Sequence, residues 1–137
     1  MSRPHFLQPV LRGSGAWGLR VERSGHWLAT HAELAGQSDS RRRGLLGRDG
    51  LAPGHALVIA PCQGVHTFGM RFDIDIVGID RRGIVRKIRQ AVPRRRVVLA
   101  LPAFAIVELA AGSCAASGLM PGDRITAGWT QERPTEQ

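Results

Sequence analysis

Between Pro61 and Asp80 the chain concentrates side chains that could do chemistry: Cys62, His66, Met70, Arg71 and Asp75, set among apolar residues. Cys62 and His66 would act as nucleophile and base if folding brought them into contact, with Asp75 as the orienting carboxylate of a hydrolase. His66, Phe68 and Met70 recur at period two, so on a strand they share one face. If that face lines a cleft, His66 could shuttle protons near neutral pH; otherwise it is a hydrogen-bonded strand histidine. Asp75 lies between Ile74 and Ile76. A carboxylate in an apolar strand must reach water or find a donor. Arg71 and Arg43 carry the guanidinium fork that matches it. Two outcomes follow: a fold-fixing ion pair, or a pocket for a polar ligand built from Arg43, His66, Met70, Arg71 and Asp75.

Other candidates are weaker. Glu108, in Ile106-Val107-Glu108-Leu109, opposes its apolar neighbours and is expected, with Arg48, in structural ion pairing. Cys62 alone, and Cys114 within GSCAAS, read as small packing residues. A metal at His66 would have to draw on His55, Asp73 or Asp75, a spacing that fits no standard motif. No cofactor is expected.

The elements that must position these residues are short. Trp17–Arg23 alternates as a half-buried strand, Ser24-Gly25 turns, and His26–Ala35 returns as the second strand of a hairpin. Gln37–Gly47 suggests a helix of two or three turns at most, capped by Ser38, with Asp39 in its first turn and Leu45 and Leu46 at its buried end. Gly44 should weaken its interior and Gly47 should end it. Ala56–Ala60 is a continuous apolar run, as in a strand buried on both faces, and Pro61 stops it.

Val65–Met70 and Ile74–Asp80 flank a bend at Arg71–Asp73. Asp80–Gly83 turns into Ile84–Val92, and Val97–Leu99 and Phe104–Leu109 follow as strands. A short helix falls within Ala110–Gly118 and a last strand at Arg124–Ala127. No long helix is present to make parallel crossovers, so the pattern predicts a compact antiparallel β-sandwich or partly open barrel with one or two short helices. The domain should span residues 17–129, between a flexible N-terminal arm (1–16) and a polar tail (130–137).

Composition narrows the function classes. The 137 residues suit one domain, and 43% apolar content supports a core. The net charge of +8 is carried almost wholly by arginine, Lys87 being the only lysine. The basic clusters are Arg41–Arg43, Arg81–Arg82, Arg86–Arg89 and Arg94–Arg96, and nucleic-acid binding through them is the alternative reading. No nucleic-acid motif accompanies them, and four Phe, three Trp and no Tyr leave few bases a platform for stacking. Two cysteines make no disulfide framework. Neither a secretory leader nor an apolar run long enough to span a membrane is seen, so a cytoplasmic setting with reduced thiols is expected.

Three stretches in order, RRRGLLGRDGLAPGHALVIAP, VHTFGMRFDIDIVGIDRRGIV and AIVELAAGSCAASGLMPGDRI, resemble the domain of unknown function 192 family across roughly residues 28–127. Arg43, Gly44, Leu45 and Arg48 fill that family's Arg-Gly-Leu-Met-x-Arg helix end. Phe68, Met70 and Arg71 fill its Phe-Trp-Met-Lys stretch, with Asp75 in the strand that follows. Val107, Glu108 and Leu109 fill its glutamate strand. Leu46 replaces the usual methionine, Gly69 stands near the usual tryptophan, and the connection from Met70 to Asp75 is shorter than the common form. The resemblance implies a jelly-roll-like sandwich and brings no established activity. The reading reached is a non-enzymatic module that binds a small polar ligand or a protein partner.

Overall fold

The computed structural model describes residues 3–13 and 15–130. These form ten strands in three sheets and two short helices, a mainly β fold whose sheets do not close. The central sheet has the order β3 (His31–Ala35), β4 (His55–Ile59), β9 (Ala105–Ala110), β6 (Ile74–Ile79) and β7 (Val85–Val92). A second sheet runs β10 (Ile125–Trp129), β1 (Trp17–Val21), β2 (Trp27–Ala29). A separate ribbon pairs β5 (Gly64–His66) with β8 (Val97–Leu99).

Both faces of the central sheet are covered, which is why ALVIA and AIVELA are nearly uninterrupted apolar runs. On one face Val58, Val77, Ile79, Val107 and Leu109 pack against Leu19, Val21, Leu28 and Ile125 of the second sheet. On the other face Leu57, Ile59, Ile74, Ile76 and Ile106 pack against Leu45, Met70, Val98 and Ala100. Each fully buried aliphatic side chain contributes about 2 kcal/mol. Gly78 belongs to the second face. A Cβ there would lie 2.6 Å from the Ala100 Cβ, so a larger residue would push the ribbon off the sheet.

The expected strand His26–Ala35 divides in two. The Thr30 and His31 amides both donate to the Gly54 carbonyl, and at that point the chain leaves one sheet for the other. β3 then runs parallel to β4, although the other pairings are antiparallel. Residues 36–54, carrying α1 (Ser38–Arg43), are enough chain for that return, so no long helix is needed. Within α1 the cap is Gln37 rather than Ser38, through a capping box with Ser40. The helix ends at Gly44, whose φ of 51° suits glycine, so Gly44 is a C-cap and not a weak interior position.

Val65–Met70 is a strand only as far as His66. The Met70 amide donates to the Thr67 carbonyl and Gly69 has φ 81°, so the segment turns. The period-two face therefore breaks: His66 and Phe68 are exposed while Met70 is buried. Within the expected N-terminal arm, the segment of residues 6–10 is docked. Leu7 and Val10 enter the core, and the Phe6 amide donates to the Arg81 carbonyl. Beyond Thr130 the expected polar tail lies outside the described residues.

Candidate functional site: a cavity under the end of the first helix

A cavity of about 410 Å³ opens between the end of α1, the β4–β5 connection and the middle of β9. Leu45, Leu46, Ile59, Val65 and Met70 give it apolar walls. Its polar side chains are Ser38, Arg41, Arg42 and Arg43, Cys62, His66 and Glu108. Its size falls within the range of small-molecule sites.

Glu108 is the deepest of these groups. On β9 it stands opposite Leu57 of β4 and Ile76 of β6, with apolar side chains on either side, and it is only 3% exposed. Among the described residues its carboxyl takes part in no hydrogen bond or salt bridge. Burial pushes it up to about 7, against a smaller downward pull from the charge of Arg48. Arg48 is not its ion-pair partner: its guanidinium donates to Glu33 Oε2 at 2.8 Å on the outside of the fold. Of the two residues expected in structural ion pairing, Arg48 therefore pairs with Glu33, and Glu108 enters no salt bridge among the described residues. Gly44 lies over the carboxyl, and a Cβ there would sit 3.3 Å from Glu108 Oε1. Glycine therefore serves twice, for its left-handed φ and for the space it leaves.

The three arginines differ in use. Arg41 turns back to its own helix, donating to the Gly36 carbonyl at 2.6 Å and to Ser38 Oγ. Arg42 and Arg43 are exposed at the mouth, and among the described residues neither enters a salt bridge. The mouth is therefore positive and the floor a carboxyl. His66 edges the opening, with its ring centroid 5.8 Å from that of Phe68.

Cys62 is half-buried, and its Sγ donates to the Gly64 carbonyl at 3.1 Å. Burial raises its thiol above the usual range, with the Glu108 charge adding to the rise. That opposes formation of the nucleophilic thiolate. Cys114, pushed up to about 12 by burial and by Asp75, is further from reactivity.

Of the five residues expected to bind a ligand, Arg43, His66 and Met70 line this cavity. Arg71 does not: it reaches Asp49 at 2.6 Å in an exposed loop pair. Asp75 faces the opposite side of the central sheet. It is fully buried there, and its two oxygens accept from the Ala91 and Cys114 amides, each at 2.9 Å. Asp75 thus ties β7 to the start of α2 (Ser113–Ser117), and a hydrolase built on Cys62 or His66 lacks it as orienter. Among the described residues no three His, Cys, Asp or Glu side chains gather as a metal site. What the residue pattern left unread is that Glu108 faces a cavity. The signal for it was a single carboxylate inside AIVELA, a run otherwise apolar enough to be buried on both faces.

A mainly β sandwich with a small arginine-mouthed cavity is the class of protein these features define. The chain belongs to the domain of unknown function 192 family, described as "Uncharacterized ACR", whose model matches residues 19–127. Its fold is similar to that of a candidate transcription regulator from Sinorhizobium meliloti, with a TM-score of 0.71 and 24% identity over 85% of this chain and 97% of that one. It is also similar to a protein of unknown function from Novosphingobium aromaticivorans, with a TM-score of 0.70 and 18% identity over 90% and 99%. No curated protein matches the chain in sequence. No helix among the described residues is long and apolar enough to cross a membrane.

Proposed function

We propose that this chain is a non-enzymatic module that binds a small polar ligand in the cavity between α1, β5 and β9. One observation carries the reading: the Glu108 side chain, only 3% exposed, meets no donor among the described residues and turns its carboxyl toward an open cavity. Burying such a group costs several kcal/mol unless something satisfies it. A fold that retains it gains nothing in stability from doing so, whereas a ligand with a donor would be recognised strongly there. The half-buried, protonated thiol of Cys62 and the distance of Asp75 from the cavity speak against covalent catalysis.

The test is a screen of small polar metabolites by thermal shift and amide NMR, on the wild type and on Glu108→Gln. Ligands should raise Tm and move the Gly44, Cys62 and His66 amides. At a ligand concentration of about a hundred times Kd the stabilisation should approach about 3 kcal/mol. Hits that move only distant amides, or bind Glu108→Gln equally well, would remove the basis of the reading.

A second reading, nucleic-acid binding, rests on the +8 charge and on the description given to the Sinorhizobium protein. Its mark would be binding that weakens steeply with added salt. A flat salt dependence, or no binding at low salt, disposes of it.

A further inference from the structure

The order of charges along the cavity restricts what can enter it. Arg42 and Arg43 stand exposed at the mouth, and Glu108 waits at the floor behind apolar walls. A purely cationic ligand is repelled at the mouth. A purely anionic one is drawn to the mouth but repelled by an ionised floor. A molecule carrying both signs in the matching order satisfies both ends, and an apolar spacer suits the walls of Leu45, Leu46 and Met70. We infer that the cavity takes small zwitterions, with an amine directed inward to the Glu108 carboxylate and a carboxylate or similar anion held outward by Arg42 and Arg43. This rests on the binding reading above and adds to it the ligand class and its orientation.

An ammonium answers the floor better than a hydroxyl does. It supplies a cation as well as donors to a carboxylate that pairs with neither among the described residues, and charge-assisted bonds are about twice as strong as neutral ones. The groups facing Glu108 agree with this. From α1 come Arg41–Arg43, of which Arg41 is engaged with its own helix. From the β4–β5 connection comes Cys62, held protonated, and from β5 comes His66 at the opening. Arg48 acts only at a distance while it pairs with Glu33. On this face β4 presents Leu57 and Ile59, with the exposed His55 at its far end, and β6 presents Ile74, Ile76 and Gly78. Among the described residues no cation pairs with Glu108 in the place assigned to the amine.

The experiment compares the ω-amino acids glycine, β-alanine, γ-aminobutyrate and ε-aminocaproate with caproate, hexylamine and gluconate. Amide NMR and calorimetry on the full chain supply the readouts. At least one ω-amino acid should move the Gly44, Cys62 and His66 amides and bind about tenfold or more tightly than caproate or hexylamine. Its affinity should fall severalfold from about pH 8 to about pH 6 as Glu108 takes up a proton. Glu108→Gln should lose about tenfold. Arg42→Ala combined with Arg43→Ala should weaken ε-aminocaproate while leaving hexylamine binding unchanged or improved.

Different failures have different meanings. If caproate or gluconate binds in the cavity as tightly as the zwitterions, and Glu108→Gln still weakens that binding, the ligand class is overturned and the binding reading survives; if Glu108→Gln leaves it unchanged, both fall. If no probe moves the cavity amides, the proposed class is overturned, and failure of the wider metabolite screen would then remove the binding reading itself.

Discussion

Asp75 on β6 and Glu108 on β9 are carboxylates of adjacent strands, one step apart in register: Asp75 lies opposite Leu109, and Ile76 opposite Glu108. Both are almost wholly buried. The single step puts them on opposite faces of the sheet, and their surroundings differ accordingly. Asp75 meets two backbone amides and becomes a tie between β7 and α2. Glu108 meets no donor among the described residues, and burial pushes it up to about 7 beside an open cavity. Depth of burial therefore does not separate a structural carboxylate from a candidate binding one. The supply of donors does, because a buried charge whose lone pairs are filled stabilises a fold and an unfilled one opposes it.

The strongest challenge to that comparison is Asp75→Ala. It leaves the Ala91 and Cys114 amides without acceptors, and urea denaturation should show a loss of about 4 kcal/mol. A loss below about 1 kcal/mol would mean that those two bonds do not hold the fold.

Glu108→Gln should act in the opposite sense. The folded chain binds more protons than the unfolded one between the ordinary glutamate value of 4.5 and about 7. Wild-type stability should therefore be full below that window and should fall as pH rises through it. Above it the loss is about 3 kcal/mol at most. Glu108→Gln should abolish this slope and be the more stable protein at about pH 8, while near pH 4 the difference vanishes. Chemical denaturation across pH measures it, and an unchanged slope would show that Glu108 is satisfied in solution.

A smaller effect should appear at Cys62. Its alkylation by iodoacetamide at neutral pH should be slower than that of a free thiol. Glu108→Gln should speed it modestly, because the nearby negative charge that raises the thiol is gone. Labelling kinetics give the answer, and faster labelling than a free thiol would revive Cys62 as a nucleophile. The smallest effect belongs to Arg71→Ala. Its partner Asp49 is largely exposed, so stability should change by no more than about 0.5 kcal/mol and ligand binding not at all.

Much of the frame was legible in the residues. Alternation marked Trp17–Val21 and Ile74–Ile79, and an unbroken apolar run marked the buried strand ending at Ile59. The turn at Asp80–Gly83 followed from its composition, and the Asp80 carboxylate fixes it by accepting from the Arg82 and Ile84 amides. The ordered motifs carried family membership as well. Part of the candidate site was legible too: Arg43, His66 and Met70 do share one cavity, although His66 and Met70 reach it from a strand end and a turn rather than from one continuous face.

What the residues determined by themselves was local: which segments extend, where they turn, and that consecutive side chains of a buried strand point opposite ways. Tertiary structure decided the rest. Period two separates Asp75 from Val77's neighbours Ile76 and Gly78, but it cannot say which face meets amides and which meets a cavity. That depends on α1 and α2, brought from distant parts of the chain to opposite sides of the sheet. The same dependence sent Arg48 to Glu33 and Arg71 to Asp49, because an arginine pairs with the carboxylate that long-range packing brings within reach. Glu108 was visible as an anomaly in AIVELA, and only the folded chain, with Gly44 laid over its carboxyl, turned that anomaly into the floor of a cavity.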